Sequence, residues 1–490
     1  MNIHNSARRE SARGHFLGGL FLLVLSAYSN AEQQTLTLEA AINSAIQNEP
    51  WLRGNLHRQN SIESMSIAAG TLPDPKVSIG IANIAADSFD FGQEAMTQFK
   101  VGVSQMLPRG DSLAIKQQQL NLLASEYPFQ REDRKAKLKV MVSKIWLDVY
   151  KAQQSIVLIE KDRGLFEQLA DVAQASYAST IGKTRQQDIV RAQLELTRLD
   201  DRLTMLNQKK EVGLQKLSER LSDYFSDDYY LRGHDLLKSD AERSLNDFNL
   251  SSDGSLLQIS SLMVTKEMPN IEALFPQGVL SKEKISTQEL FEYLAGHPSV
   301  VALDQRIKAS KSGIALAKQK YKPEWGINAS YGYRDDNPLG QSRADLFSIG
   351  VSFDIPLFTG NRQDKQVESA VSKSSAIKTQ KWQLLRKMIA SVQATQTQLQ
   401  RLNQRQFLYQ NKLLPQMHDQ AEASLSAYTN DDGDFAEVIR AKIAELNASI
   451  DALGIDVERQ KNIVQLNYFF IGNTGEIVAP EENRNIGEIK

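Results

Sequence analysis

The chain has 490 residues, too many for one small core and enough for two or three folded units. Its 57 basic and 59 acidic residues nearly cancel, which leaves no electrostatic footprint for nucleic acid. The sequence has no cysteine, which excludes disulfides, thiolate chemistry and a lipid-modified amino-terminal cysteine.

Arg8, Arg9 and Arg13 precede an apolar run from Phe16 to Tyr28, and Ser29-Asn30-Ala31 has the small-x-small pattern of a cleavage site. That run is short for a permanent span, so residues 1–31 read as a secretory signal peptide. No later apolar run reaches the ~18–20 residues of a membrane helix. Any membrane-crossing part of the exported chain is then expected to be β-strand.

Residues 32–221 begin with a helical lead-in and pass into a strand. In VSIGIA (77–82), Val77, Ile79 and Ile81 face one way and Ser78, Gly80 and Ala82 the other. FKVGVSQMLPRG (99–110) supplies a second strand. A period of two, with one oily and one small or polar face, marks a half-buried strand. From Ser112 to Tyr177 the sequence can run as one helix broken only at Pro128, on the order of 100 Å at ~1.5 Å per residue. Ile145, Val149, Ala152, Ile156 and Ile159 step by four and three, the rhythm of a coiled-coil seam. YASTIGKTRQQD (177–188) then turns the chain, with Gly182 placed to supply a left-handed helix end.

The stretch 222–285, rich in Ser, Asp and short mixed segments, reads as a join folded around a waist. Residues 286–472 then repeat the first half. Phe99, Gly102, Val103, Ser104 and Pro108 recur as Phe347, Gly350, Val351, Ser352 and Pro356, always 248 positions on. Pro50 and Pro75 recur as Pro298 and Pro323 at the same offset. Arg191 and Ala192 are answered by Arg440 and Ala441 one residue out of register. INASYGYR (327–334) and FSIGVSFDI (347–355) alternate as the first pair of strands does. A second turn falls at YTNDDGDF (428–435), where Gly433 again lies five residues after a tyrosine. The last helix carries a seam of Ile439, Ile443, Leu446, Ile450, Leu453, Val457 and Val464, interrupted only at Gln460. Residues 473–490 read as a polar tail.

Four strands of ~8–11 residues suit a tilted bilayer crossing, yet four cannot close a barrel, and an open edge in lipid leaves backbone groups unsatisfied. Closure calls for several chains under cyclic symmetry. Three chains give a twelve-stranded barrel, its water-filled interior lined by the Gly, Ser, Asn and Asp of the inner faces. The long coiled-coil helices continue it as an α-barrel. The fold class expected is therefore mainly α with a membrane β-barrel, a trimeric channel-tunnel in which each subunit contributes two equivalent staves. A passive porin has no need of ~100 Å helices, and a periplasmic coiled-coil scaffold has no need of four lipid-compatible strands.

At these residues the chain resembles the TolC family of outer-membrane efflux channels. LTLEAAINSAIQNEPWL (36–52) looks like the family's opening helix, GKTRQQDIVRAQLEL (182–196) like its helix-tip motif, and LPQMHDQAEASLSAY (414–428) like the rise to the second tip. The resemblance covers nearly all of residues 35–472. LPDPKVSIGIANI, with Met96 and VGVSQMLPRG, looks most like the heavy-metal branch. The family implies a homotrimer in the outer membrane of a Gram-negative bacterium, its helical barrel in the periplasm. It also implies a periplasmic adaptor (membrane fusion protein), an inner-membrane pump of RND type, and no cofactor. General drug efflux and type I secretion share this fold.

No catalytic or metal constellation appears. His57, His234, His297 and His418 are scattered, and GDSLA (110–114) is no nucleophile elbow. The chain is not expected to be an enzyme. The resemblance places the gate at the helix tips. Glu437 falls where the family often has a gate carboxylate and Arg440 where another Asp can lie, in a tip about two residues shorter than the family's. Asp431, Asp432 and Asp434, tripled by symmetry, would form an acidic ring that attracts cations over about a Debye length. Tyr177, Asp188, Arg191 and Tyr428 are candidates for links across the closed tip or to the adaptor.

Overall fold

The computed structural model describes residues 35–178, 185–222, 263–276, 286–337, 339–430 and 432–473. The expected secretory signal, Gly182, His234, Asp431 and the expected tail from 474 onward lie outside the described residues. The first repeat runs β1 (Thr35–Leu36), α1 (Leu38–Gln47), α2 (Pro50–Ala69), β2 (Lys76–Ala82), β3 (Gln98–Leu107), α3 (Ser112–Ala124), α4 (Glu126–Ala178) and α5 (Gln186–Leu221). After β4 (Met263–Val264), the second runs α6 (Thr287–Ala295), α7 (Pro298–Gln319), β5 (Trp325–Tyr333), β6 (Leu346–Phe353) and α8 (Gln363–Leu408). A π-helical turn at Tyr409–Leu413 leads into α9 (Leu414–Thr429), and α10 (Phe435–Phe469) returns. The matched prolines have matched jobs: Pro50 and Pro298 both open helices at a first-turn position, where the missing N–H would have had no acceptor.

The expected helix from Ser112 to Tyr177 does break once, but at Ser125 rather than Pro128. A proline ring clashes with the carbonyl four residues earlier, here Ala124, and is tolerated within a first turn. The break therefore falls before the proline, and Pro128 sits in the opening turn of α4. That helix has 53 residues, ~80 Å at the standard rise.

The four strands form one antiparallel sheet in the order β2-β3-β5-β6. Its register aligns the faces read from the sequence: Ile79, Val101, Tyr331 and Phe347 form one cross-strand row, and Ser78, Gly102, Ser330 and Ser348 the next. Side chains on the oily face have no cover among the described residues; Ile79 is 70% exposed and Ile349 73%. On the opposite face polar side chains lie against glycines. A Cβ on Gly102 would meet Ser78 Oγ at 2.8 Å, and one on Gly326 would meet Ser352 Oγ at 2.6 Å. Among the described residues β2 and β6 each pair on one side only.

The long helices lie side by side, α4 against α5 and α10, and α10 against α8 and α9. Closer to the sheet the row is α2, α3, α7 and α8. Three hydrophobic cores are strung along them. The tip core joins Phe166, Leu169 and Ala173 of α4 to Ala192 of α5 and to Phe435 and Ile439 of α10. A waist core surrounds Trp146 and takes in α1, β4 and Val457. A third gathers Leu290, Leu294, Met388, Leu466 and Phe470. The seam of α10 is mostly inside, with Ile439, Leu446, Ile450, Val457 and Val464 buried and Ile443 and Leu453 half-buried. β1 and β4 pair in parallel at the waist, where Gln153 donates to the Val264 carbonyl at 3.1 Å.

One contact beside the third core is pH-sensitive. His297 caps α7 and is fully buried. Its Nδ1 accepts from the Ser299 N–H at 3.2 Å, which leaves Nε2 to donate to the Tyr468 carbonyl at 3.0 Å. Tyr468 in turn donates its hydroxyl to Asp133 at 2.9 Å. Burial, only partly offset by Asp133, lowers the His297 pKa below its ordinary 6.5. The folded state thus resists protonation that the unfolded chain accepts. Stability is complete above about pH 6.5 and is lost as pH falls through that value toward the folded pKa. Thermal midpoints between about pH 7 and about pH 5 are expected to fall less steeply in His297→Gln than in the native chain. Parallel slopes would remove His297 from the acid response.

Candidate functional site

The helix tips are built from local capping chemistry. α9 ends at Asn430, and the Asp432 N–H bonds back to the Ala427 carbonyl at 2.9 Å. Gly433 does not adopt the expected left-handed conformation, since only Gly110 and Gly340 have positive φ among the described glycines. Its role is close approach: a Cβ there would lie 2.6 Å from the Tyr428 backbone nitrogen and 2.8 Å from the Ala427 carbonyl carbon. Asp434 then caps α10, accepting from the Ala436 N–H at 3.2 Å.

Of the residues singled out in sequence, the structure gathers Tyr428, Asp432, Asp434, Glu437 and Arg440 into one turn and the first helical turns beyond it. Asp432 and Asp434 are exposed. Glu437 and Arg440 form an i,i+3 ion pair at 3.2 Å, so they neutralise each other instead of adding to an acidic ring. Tyr428 lies edge-on to Phe435 with ring centroids 5.5 Å apart, holding the turn closed against the tip core. In the other hairpin, Tyr177 is 52% exposed near the end of α4, and Arg191 is exposed. Asp188 is buried, and its carboxylate accepts from the Arg185 N–H at 2.9 Å. Within the chain it is occupied as a helix cap.

A charged cluster behind the second tip escaped the sequence reading. His418 bonds Glu445 at 2.7 Å, and Lys442 bridges Glu422 at 2.7 Å and Glu445 at 3.2 Å. The bond to Glu445 holds the His418 imidazole above its ordinary pKa. Burial, reinforced by Glu445, raises that of Asp162. A signal did exist, because His418 and Glu445 stand about equal distances either side of the turn, as do Glu422 and Lys442. In an antiparallel helix hairpin such mirror positions face each other. Among the described residues no cluster of three or more His, Asp or Glu could hold a metal ion, and no helix is long and apolar enough to cross a membrane.

A row of very long helices continuing into an open four-stranded sheet with an uncovered oily face defines the channel-tunnel fold. Solved structures share it across almost their whole length. The outer membrane protein VceC from Vibrio cholerae superposes with a TM-score of 0.67 at 12% identity, covering 88% of this chain and 95% of that one. The Campylobacter jejuni CmeC outer membrane channel does so at 0.64 and 13%, covering 89% and 85%. CusC, whose structures describe folding and transmembrane channel formation, gives 0.65 and 14%, covering 91% and 95%. No protein-family model matches the chain, and no curated protein matches it in sequence. At these identities the likeness establishes the fold.

Proposed function

We propose that the protein is the outer-membrane channel of a tripartite efflux system, a homotrimer that passively conducts substrate delivered by a periplasmic adaptor and an inner-membrane pump. The observation that carries this reading is the sheet. Its oily face is uncovered, its other face is small and polar, and its outer strands have pairing groups to spare. In lipid those edges need partners, and the β6 edge of one chain can take the β2 edge of the next. Three chains close twelve strands, and the helices continue the tube. The likeness to outer-membrane channels supports the same placement. Conduction needs no catalytic group.

The finer assignment is export of heavy-metal cations with an RND-type pump. It rests on the LPDPKVSIGIANI and VGVSQMLPRG segments. A strain lacking the protein is expected to become sensitive to copper, silver, zinc, cobalt or cadmium while tolerating dyes and detergents. The reverse pattern would leave the channel and remove the metal. The channel itself is tested by a detergent-corrected native mass, for which three chains are expected and a stable monomeric pore would end the closure argument.

We also assign the periplasmic constriction to the second tip, with Asp432 and Asp434 as its exposed charges and Asp431 next to them in sequence. Asn caps a helix as well as Asp does, so Asp432→Asn with Asp434→Asn removes charge while keeping the turn. In single-channel recordings the cation preference is expected to fall, most at low salt, where screening is weakest. Unchanged selectivity would take these residues out of the constriction.

A further inference from the structure

The four strands of the sheet carry only two charged side chains, Lys76 in β2 and Lys100 in β3. Both stand on the small, polar face. Lys76 shares its cross-strand row with Ser104, Asn328 and Gly350, and Lys100 shares its row with Gly80, Gly332 and Leu346. The row between them is that of Ser78, Gly102, Ser330 and Ser348, and no row contains a carboxylate. Lys100 lies opposite Gly80, four residues along β2 from Lys76, which is ~13 Å at the rise of a strand. Both lysines are exposed, and neither forms an ion pair among the described residues. A Cβ on Gly80 would meet nothing within 4 Å, so the space beside Lys100 is open.

The acidic residues around the sheet lie beyond the strands. At the end near the helices Arg109 holds Asp354 and Glu324, Lys322 holds Asp111, and Asp364 accepts from the Tyr321 hydroxyl. Asp74 precedes β2, between Pro73 and Pro75. Past the other end, the β2–β3 loop carries Asp87, Asp90 and Glu94. The β5–β6 loop carries Asp335, Asp336 and Asp345 against Arg334 and Arg343. The positive band is thus confined to the strands themselves.

On the outer-membrane channel reading above, on which this inference rests, the polar face lines the lumen. Two lysines from each of three chains then place six ammonium groups, and no carboxylate, in the strand-built part of the barrel. Rings of Lys or Arg are the device by which pores favour anions and phosphates. A narrow passage lined by one sign of charge raises the local concentration of the opposite sign. We propose that Lys76 and Lys100 make the barrel lumen an anion-attracting segment, and that the exported species carries negative charge on phosphate, carboxylate or sulfonate groups or as an anionic metal complex. A bare metal cation meets repulsion at this ring, so the heavy-metal assignment agrees with it only for metal carried as an anionic complex.

The absence of cysteine from the chain makes the field measurable, because Ser78→Cys puts a unique thiol on the polar face between the two lysines. The assembled full-length protein in lipid vesicles is treated with two methanethiosulfonate reagents of similar size, one ending in a sulfonate and one in a trimethylammonium group. Taking the ratio of their rates cancels any effect of the lysines on the thiol itself. Relative to a free thiol in solution, the anionic reagent is expected to be favoured about tenfold at low salt, and less as salt screens the ring. Lys76→Gln combined with Lys100→Gln is expected to erase the preference, and Lys76→Arg combined with Lys100→Arg to keep it. A preference that survives in the glutamine variant overturns the proposal, as does a cationic reagent that reacts as fast or faster beside the native lysines. Reaction with neither reagent means that this face does not meet water in the assembly, which overturns the channel reading and the ring with it. Reaction with both at a ratio indifferent to the lysines refutes the ring alone.

Discussion

If the sheet closes as the proposed outer-membrane channel, Ile349→Lys is expected to abolish the assembly, while Ser348→Lys, one residue away, leaves it assembled. The two side chains lie on opposite faces of β6, because strand side chains alternate. Ile349 belongs to the oily row with Val77, Val103 and Ala329, and it is 73% exposed in the single chain. A lysine there would face hydrocarbon near the middle of the strand, at a cost of ~2–4 kcal/mol per copy. In the proposed trimer the three copies would together cost roughly 6–12 kcal/mol, comparable to the whole stability of a typical domain. Ser348 belongs to the row of Ser78, Gly102 and Ser330, where in the proposed barrel an ammonium group would meet water in the lumen. Its expected effect is a lower cation preference at unchanged assembly. Heat-modifiable migration of the oligomer on gels reads the first outcome, and bilayer recordings read the second. Loss of assembly in both variants, or in neither, would contradict the assignment of lipid and lumen faces.

The division of each strand into an oily and a small or polar face is legible in the sequence, and the reason is physical. A two-residue period survives in sequence wherever one face is oily and the other is not, so Ile79 and Ser78 declare their sides. The 248-residue offset likewise carried over, since Pro50 and Pro298 open equivalent helices. What the sequence hid depends on partners far along the chain. His297 is legible only beside Tyr468, 171 residues later, and the Arg109 bridge to Asp354 spans 245. Asp188 looked free because its acceptor role is satisfied by a backbone N–H three residues back. Gly433 pointed to the correct turn for the wrong reason. A glycine after a helix fits a left-handed end or a close contact equally well, and only the 2.6 Å approach to Tyr428 distinguishes them. Pro128 misplaced its break by three residues because the ring acts on the carbonyl of residue i−4.

The second large effect is expected at Trp146, the largest side chain in the waist core. It is fully buried, stacks on Tyr150 with centroids 5.7 Å apart, and donates Nε1–H to the Leu36 carbonyl at 3.0 Å. The same core holds Leu38, Ala41 and Ala45 of α1, Val264 of β4 and Leu217 of α5. One indole therefore ties the start of the described chain and the inter-repeat strand to the long helices. Trp146→Ala removes both the ring and the bond, and it is expected to destabilise by ~3–5 kcal/mol. Trp146→Phe keeps most of the apolar volume but leaves the Leu36 carbonyl without this donor, at ~1–2 kcal/mol. The graded pair separates packing from hydrogen bonding. Loss of helical circular dichroism on heating in detergent, followed for both variants, gives the two shifts. Limited proteolysis adds the location, because release of the α1 and β4 segments before the helices melt is expected for Trp146→Ala alone. If Trp146→Phe falls as far as Trp146→Ala, the waist is held chiefly by the single bond to Leu36. If neither shifts, the indole fills space that the long helices do not need, and their side-by-side packing alone sets the stability of the tunnel wall.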